Sequence, residues 1–380
     1  ELVFRGDSAT LTRLSEFQDE LYIENARLVF DQSFTVPLLR DRVLINRGGP
    51  DSANPLLVTF AFDGEDRDGL FVERSFRIFN SGAWRAFLTP QFLVQRTLAG
   101  EETPPPETSF LSNFGLVADV TGFLGPTTGV SATASFSGLD LENIENRLRS
   151  SVRVRQLLGD HVLNLEYSYR DRLFNGSLGF QNVQSNFGLV LVSPNIAIGS
   201  TGIVVNYQVS AQYINANTDR LDLLNDLTPP FRVSLGRFQG SVGIGRGFML
   251  WRGEPLPATP DAGLRFTSVP RIPNITLGIT GRGTYTYYTS NDTQDDFAVS
   301  IGLRGELGHF SKDFLDSTVF NLTYRRSFVN DAATSPFLFD RNVDQNRLDG
   351  GIIQQIYGPF RLGFQTAINL DTGDVLNTDY

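Results

Sequence analysis

The sequence predicts an all-β protein, and three observations carry that reading. Apolar and polar residues alternate with a period of two along many segments. Turn-forming residues separate those segments. No convincing amphipathic helix is present, and no run approaches the ~18 apolar residues that a transmembrane helix requires.

From the N-terminus, ELVFRGDSATLTRL and ELYIENARLVFDQSFTVPLLRDRVLIN read as short irregular strands with charges on both sides. The cluster RGGPDSANP (Arg47 to Pro55) reads as a linker. Regular alternation follows it. LAGEETPPPETS (Leu98 to Ser109) interrupts that pattern as a long Pro-rich loop of the same body. In NRLRSSVRVRQL, Leu148, Val152 and Val154 oppose Arg147, Arg149, Arg153 and Arg155. In VLNLEYSYR, Leu163, Leu165, Tyr167 and Tyr169 oppose Asn164, Glu166, Ser168 and Arg170. In IVVNYQVSAQYIN, Tyr207, Val209 and Tyr213 oppose Asn206, Gln208, Ser210 and Gln212. Segments around 274–288, 297–307, 319–327 and 361–370 repeat the pattern. Turn chemistry falls at Asn80, Gly159, Asn175 and Asp371. LDLLNDL (Leu221 to Leu227) is the best short helical segment, placed in a loop.

Two architectures fit. A soluble sandwich or barrel buries its apolar face, whereas a membrane barrel turns that face to lipid and encloses polar side chains and water. The polar faces here carry Arg, Asn, Gln, Ser and Thr. The apolar faces place Tyr167, Tyr169, Tyr213, Tyr285 and Tyr287 towards strand ends, as aromatic girdles would. That favours the membrane barrel over the sandwich. About 325 residues from Asn54, at ~20 per strand and turn, give roughly 14–16 strands.

Composition narrows the chemistry. The net charge of −10 disfavours non-specific nucleic-acid binding. Cysteine is absent, which excludes disulfides and thiolate metal sites. Lys312 is the only lysine, so the positive charge is almost all arginine. His161 and His309 are the only histidines, which makes a zinc site improbable. No nucleophilic triad, metal set or cofactor motif stands out. GSVGIGRG (Gly240 to Gly247) lacks phosphate-loop spacing and reads as glycine where a strand bends or faces a crowded lumen. DGEDRDG (Asp63 to Gly69) has the oxygens of a calcium loop but not its spacing, and reads as a charged hairpin turn.

IENARLVFD, PLLVTFAFDGEDRDGLFVERSF and WRAFLTPQFLVQR together resemble the junction of lipopolysaccharide-assembly outer-membrane proteins of the LptD (OstA, organic-solvent-tolerance) type. GHFSKDFLDSTVFNLTYRRSF, SPFLFDR and GGIIQQIYGPFRLGFQTAINLDTG resemble the cyanobacterial members, whose C-terminal region is known as a domain of unknown function. The resemblance spans most of the chain. It implies a transmembrane antiparallel β-barrel over residues 54–380, preceded over 1–53 by the end of a periplasmic β-jelly-roll. It also implies a translocon, not an enzyme, that inserts lipopolysaccharide or a related glycolipid into the outer leaflet of the outer membrane. Cargo would arrive from a periplasmic bridge protein of the same system, with no cofactor. The paired cysteines of proteobacterial members are missing here. The family's strand-weakening prolines at the lateral gate have only Pro55 and Pro90 as counterparts. The chain stops at DVLNTDY as a strand begins, which reads as a barrel whose last strands are truncated.

Three residue sets follow as expectations. Leu21, Ile23, Leu28, Phe30, Phe34 and Val36 either line an acyl-chain groove or fill an ordinary β core. Arg147, Arg149, Arg153 and Arg155, with Asn206, Gln208 and Gln212, line the lumen. The arginines either escort anionic groups or pair with Glu142, Glu145 or Glu166 on neighbouring strands. Three other functions use similar sequence features. They are a passive porin with an inward constriction loop, a secreted soluble β-rich binding protein, and an esterase in the barrel wall.

Overall fold

The computed structural model describes residues 2–46 apart from short connections, 59–99 apart from 65, 110–140, and 144–259 apart from 225 and 227. It also describes residue 262 and residues 272–308, 314–330, 335–357 and 360–379. The chain divides into two compact units. One comprises residues 1–76, 88–117 and 137–144, the other residues 77–87, 118–136 and 145–380. The linker expected around Asn54, and Pro55 with it, lies outside the described residues.

The N-terminal strands form two three-stranded antiparallel sheets. β1 (Leu2–Arg5), β4 (Arg27–Phe30) and β5 (Phe34–Pro37) make one. β2 (Ser8–Ser15), β3 (Gln18–Glu24) and β6 (Arg42–Asn46) make the other. Among the described residues, eighteen further strands belong to one large antiparallel sheet. They begin with β7 (Thr59–Asp63), β8 (Gly69–Glu73), β9 (Phe76–Asn80), β10 (Trp84–Phe92), β11 (Phe114–Gly125) and β12 (Thr128–Phe136). β13 (Leu148–Leu158), β14 (His161–Phe174), β15 (Phe180–Val192), β16 (Ile196–Ala197), β17 (Ile203–Asn217) and β18 (Arg232–Arg252) follow. The last six are β19 (Asn274–Tyr288), β20 (Thr293–Gly308), β21 (Ser317–Val329), β22 (Asn346–Tyr357), β23 (Phe360–Asn369) and β24 (Val375–Asp379). Among the described residues, helix is confined to α1 (Val94–Ala99), α2 (Ile144–Arg147) and a few single turns, one of them at Leu221–Leu223 in the expected loop. No helix among the described residues is long and apolar enough to cross a membrane.

The all-β reading therefore holds, with more strands than arithmetic predicted. An allowance of ~20 residues per strand and turn is too generous for this chain. β7, β8 and β9 have five residues each, and β16 has two. The expected turns sit where their residues permit. Gly159 and Gly373 take φ of 60° and 80°, which an L side chain resists. Asp63 pairs with Gly69 across the DGEDRDG turn, where Arg67 Nη1 donates to Asp63 Oδ2 at 2.7 Å. The hairpin-turn reading of that stretch is the correct one. At Gly243 a Cβ would stand 2.8 Å from Asn206 Oδ1 on the adjacent strand, so the glycine there relieves crowding.

The strand register lines up side chains in rows across the sheet, and the rows differ by face. One row runs Val152, Tyr167, Phe187, Tyr213. The next on the same face runs Val154, Leu165, Leu189, Ala211, Phe238, Tyr287. Between them in register, on the opposite face, runs Arg153, Glu166, Gly188, Gln212, Arg237, Tyr288. From β14 to β21 the apolar rows are the exposed ones, with Phe187 57 % and Tyr213 59 % accessible, whereas on β13 the polar-face Arg153 and Arg155 are exposed as well. On the polar face Ser168, Ser210, Arg237, Ser241, Thr286, Gln294 and Ser327 are all buried. A sheet lying on an ordinary soluble core shelters the opposite set.

Candidate functional site

The segment Ser335–Asp344, between β21 and β22, lies against the polar face. It contains the SPFLFDR stretch. Phe337 is fully buried among Val183, Ile214, Ala216, Val233 and Tyr288, which come from β15, β17, β18 and β19. The Phe337 and Tyr288 rings meet edge-on, with centroids 5.8 Å apart. An apolar island thus interrupts an otherwise polar face, and the segment supplies its cap.

Polar bonds hold the segment around that cap. Arg237 on β18 donates from Nε to Asp340 Oδ2 at 2.6 Å and from Nη2 to Oδ1 at 2.8 Å. Arg237 also donates from Nη1 to Gln212 Oε1 at 3.0 Å. Tyr288 OH donates to Asp340 Oδ2 at 2.6 Å, and Ser335 Oγ lies 3.0 Å from the same hydroxyl. Two charges and two hydroxyls thus saturate one another away from water, as a buried ion pair requires. Arg341 forks onto Asp219, with Nη1 to Oδ2 at 2.8 Å. Those bonds hold the Asp219 carboxyl below its ordinary range, outweighing the opposing effect of partial desolvation. In the same connecting loop, Arg220 lowers the Asp222 carboxyl.

The β14–β15 turn completes the attachment. Asn175 Nδ2 donates to the carbonyls of Leu338 at 2.8 Å and Arg341 at 2.9 Å. Ser177 N donates to Asp344 Oδ2 at 2.9 Å, and Asn369 Nδ2 donates to Asp344 Oδ1 at 2.8 Å. Gly176 takes φ 49°, and a Cβ there would fall 1.6 Å from Asp344 Oδ2, so only glycine fits.

Of the residues expected in the lumen, the polar face holds most. Gln212 is tied to Arg237, and Asn206 Nδ2 donates to Asn195 Oδ1 at 3.2 Å. Gln208 lines a groove beside the Ser335–Asp344 segment. The arginine row is shorter than expected. Arg149, Arg153 and Arg155 lie on β13, whereas Arg147 ends α2 and leaves the strand. Arg153 pairs with Glu166 at 2.9 Å, and Arg149 Nη1 donates to the Arg170 carbonyl at 3.0 Å. Cross-strand pairing, the plainer of the two expectations, accounts for Arg153.

The six expected groove residues fall on two sheets. Leu21 and Ile23 are on β3, where Leu21 pairs with Leu11 and Val43. Leu28 faces Val36, and Phe30 faces Phe34, across the β4–β5 pair. The surroundings of their side chains lie outside the described residues. Pro90 is exposed on β10, and its carbonyl accepts from Arg74 N at 3.3 Å. His161 Nε2 lies 2.6 Å from Tyr207 OH, and His309 is outside the described residues. No cluster of three metal-ligating side chains occurs among the described residues.

Sequence reasoning missed the anchor of the site. Arg237, Tyr288 and Asp340 lie on a strand, a strand end and a loop, and each looks unremarkable in its own stretch. The one available signal was SPFLFDR itself, a dense mix of aromatic and charged residues inside a long connection.

These features define the class: an all-β, antiparallel-sheet protein whose polar face is the sheltered one, with a connecting segment packed upon it. The chain belongs to the family described as "Protein of unknown function (DUF3769)", whose model matches residues 1–380. No curated protein matches it.

Proposed function

We propose that the protein is an outer-membrane β-barrel that acts, without enzymatic chemistry, as a translocon for lipopolysaccharide or a related glycolipid. One observation carries the membrane reading: from β14 to β21 the apolar rows are the accessible ones and the polar residues opposite them are the sheltered ones. That arrangement suits a sheet closed with its polar face inward and its apolar face in hydrocarbon. Tyr167, Phe187 and Tyr213 share one row of the accessible face, as an interfacial girdle would. The glycolipid cargo, the periplasmic location of the N-terminal part and the bridge-protein partner rest on the likeness to LptD-type proteins. In that reading Leu21, Ile23, Leu28, Phe30, Phe34 and Val36 meet acyl chains, and Pro55 and Pro90 mark the gate. Energy for transport comes from the partner.

Membrane fractionation with heat-modifiable gel mobility tests the barrel. A full-length chain that stays in buffer without detergent defeats it. Photo-crosslinking from Leu28 and Val36 to glycolipid tests the cargo.

A second reading, a passive porin, is favoured by the Ser335–Asp344 segment, because an inward segment is what a constricted channel needs. Salt-dependent conductance in planar bilayers, with no glycolipid crosslink, would select it.

A further inference from the structure

Between the Ser335–Asp344 segment and the strands beneath it lies a groove of about 390 Å³. Two neighbouring rows of the sheet build its floor. One carries Gln208, Ser241, Thr284 and Asp296, the other Gln239, Thr286 and Gln294. Gln239 Nε2 donates to Thr286 Oγ1 at 3.0 Å, which orients that row. Gln294 Oε1 and Asp296 Oδ1 are shielded acceptors with no hydrogen-bond partner among the described residues. Phe339 forms part of the opposite wall, stacked on the buried Phe337 at 5.4 Å.

Charge around the groove is largely neutralised. Arg341 is paired with Asp219, Arg347 with Asp349, and Arg325 Nη2 stands 4.0 Å from Asp296. Arg282, on the groove edge, has no ion pair among the described residues. A phosphate group would require several converging cations, and a hydrocarbon tail would require a dry wall. Amides and hydroxyls beside one aromatic surface suit a different molecule. They suit a ring bearing several hydroxyls, each able to donate and accept, with an apolar ring face.

The geometry points to a saccharide-binding site in this groove, with Phe339 under the sugar ring and Arg282 placed for the carboxylate of an acidic sugar. The segment acts as a fixed wall because Asn175, Arg237, Tyr288 and Asn369 hold it in place. The inference rests on the barrel reading for how a sugar reaches the groove, and on the groove itself for the chemistry.

The test uses the purified full-length chain in detergent, with isomaltotriose, tri-galacturonate and inorganic phosphate as probes. Saturation-transfer NMR and titration calorimetry report binding. A trisaccharide is expected to bind, with tri-galacturonate the tighter of the two and its advantage lost in Arg282→Gln. The pair Gln239→Leu with Gln294→Leu is expected to weaken binding about ten-fold, the equivalent of one or two lost hydrogen bonds. Phe339→Ala leaves those rows untouched and is also expected to weaken binding, which keeps the test open should the doubly substituted chain fail to fold. Binding of phosphate alone, binding of no sugar, or wild-type affinity in a folded Phe339→Ala chain would overturn the site. Heat-modifiable mobility of the same samples reports the barrel separately. Sugar binding without it removes the membrane reading, and mobility without sugar binding removes the site.

Discussion

Arg237 and Asp340 are 103 residues apart in the chain and meet in a two-pronged ion pair at 2.6 and 2.8 Å. Arg237 is only 8 % accessible, so neither partner can fall back on water. Asp340→Ala would leave the guanidinium buried and uncompensated, and a loss of about 3–5 kcal/mol in unfolding free energy is expected. Urea unfolding of the folded protein in detergent measures it. Replacing both partners by apolar residues, Arg237→Met with Asp340→Leu, should recover most of the loss. A single substitution as harmless as the pair would show that the charges do not hold the segment.

Phe337 sits at the centre of the only apolar cluster identified on the polar face among the described residues. Phe337→Ala is expected to cost about 3–5 kcal/mol, because the cap has few other atoms with which to fill the space. Phe339→Ala should cost less, since that ring is only partly buried. Thermal melts followed by circular dichroism give the ranking, and a reversed order would contradict the packing described.

Gly176→Ala should be destabilising for two separable reasons. The φ of 49° costs an L residue about 1–2 kcal/mol, and the added methyl collides with Asp344. Asp344→Ala by itself loses the bonds to Ser177 and Asn369, and Gly176→Ala added to that variant should cost only the strain. If Gly176→Ala lowers the melting midpoint as much on that background as in the parent chain, the collision is not real.

The Asp219–Arg341 contact predicts a weak acid dependence. The Asp219 pKa is lowered in the folded protein from its ordinary value of 3.8, chiefly by the hydrogen bond from Arg341. The stability it contributes is therefore fully present above the ordinary value and is lost as pH falls through the lowered one. Asp219 is 57 % exposed, so salt should diminish the effect. Melting midpoints between neutral pH and strong acid, compared with Asp219→Asn, should show a shallower acid-side fall in the variant. Identical profiles would exclude a contribution from this pair.

The two faces of the sheet should respond oppositely to charge. If the proposed membrane-barrel reading holds, Leu165→Arg or Val209→Arg places a cation in hydrocarbon, at a cost of about 2–4 kcal/mol near the bilayer midplane. Gln208→Arg, on the polar face, should change little. Folding yield into lipid vesicles separates them, and equal yields would remove the lipid-facing assignment.

Much of the sheet was legible because its signal is local. A strand such as Ile203–Asn217 writes its two faces into alternate positions, and Gly159 or Gly373 writes a turn into one residue. The same locality explains the errors. Arg147 continues the alternation of Arg149 and Arg153, yet the chain at that point is still in α2, because a short pattern does not mark where a strand begins. Strand number was underestimated because it followed from chain length at ~20 residues per strand and turn, an allowance that β16 and β7–β9 fall far short of.

By itself, then, the sequence determined the class of the fold, the identity of each strand's faces and the positions of the tight turns, since all three depend on neighbours within a few residues. Only the tertiary structure decided that the polar face is the sheltered one and that Ser335–Asp344 lies upon it. The second outcome depends on Arg237, Tyr288, Asn175 and Asp219 meeting Asp340 and Arg341 across the sheet. Contacts between residues so distant in sequence leave no period in the chain that could announce them.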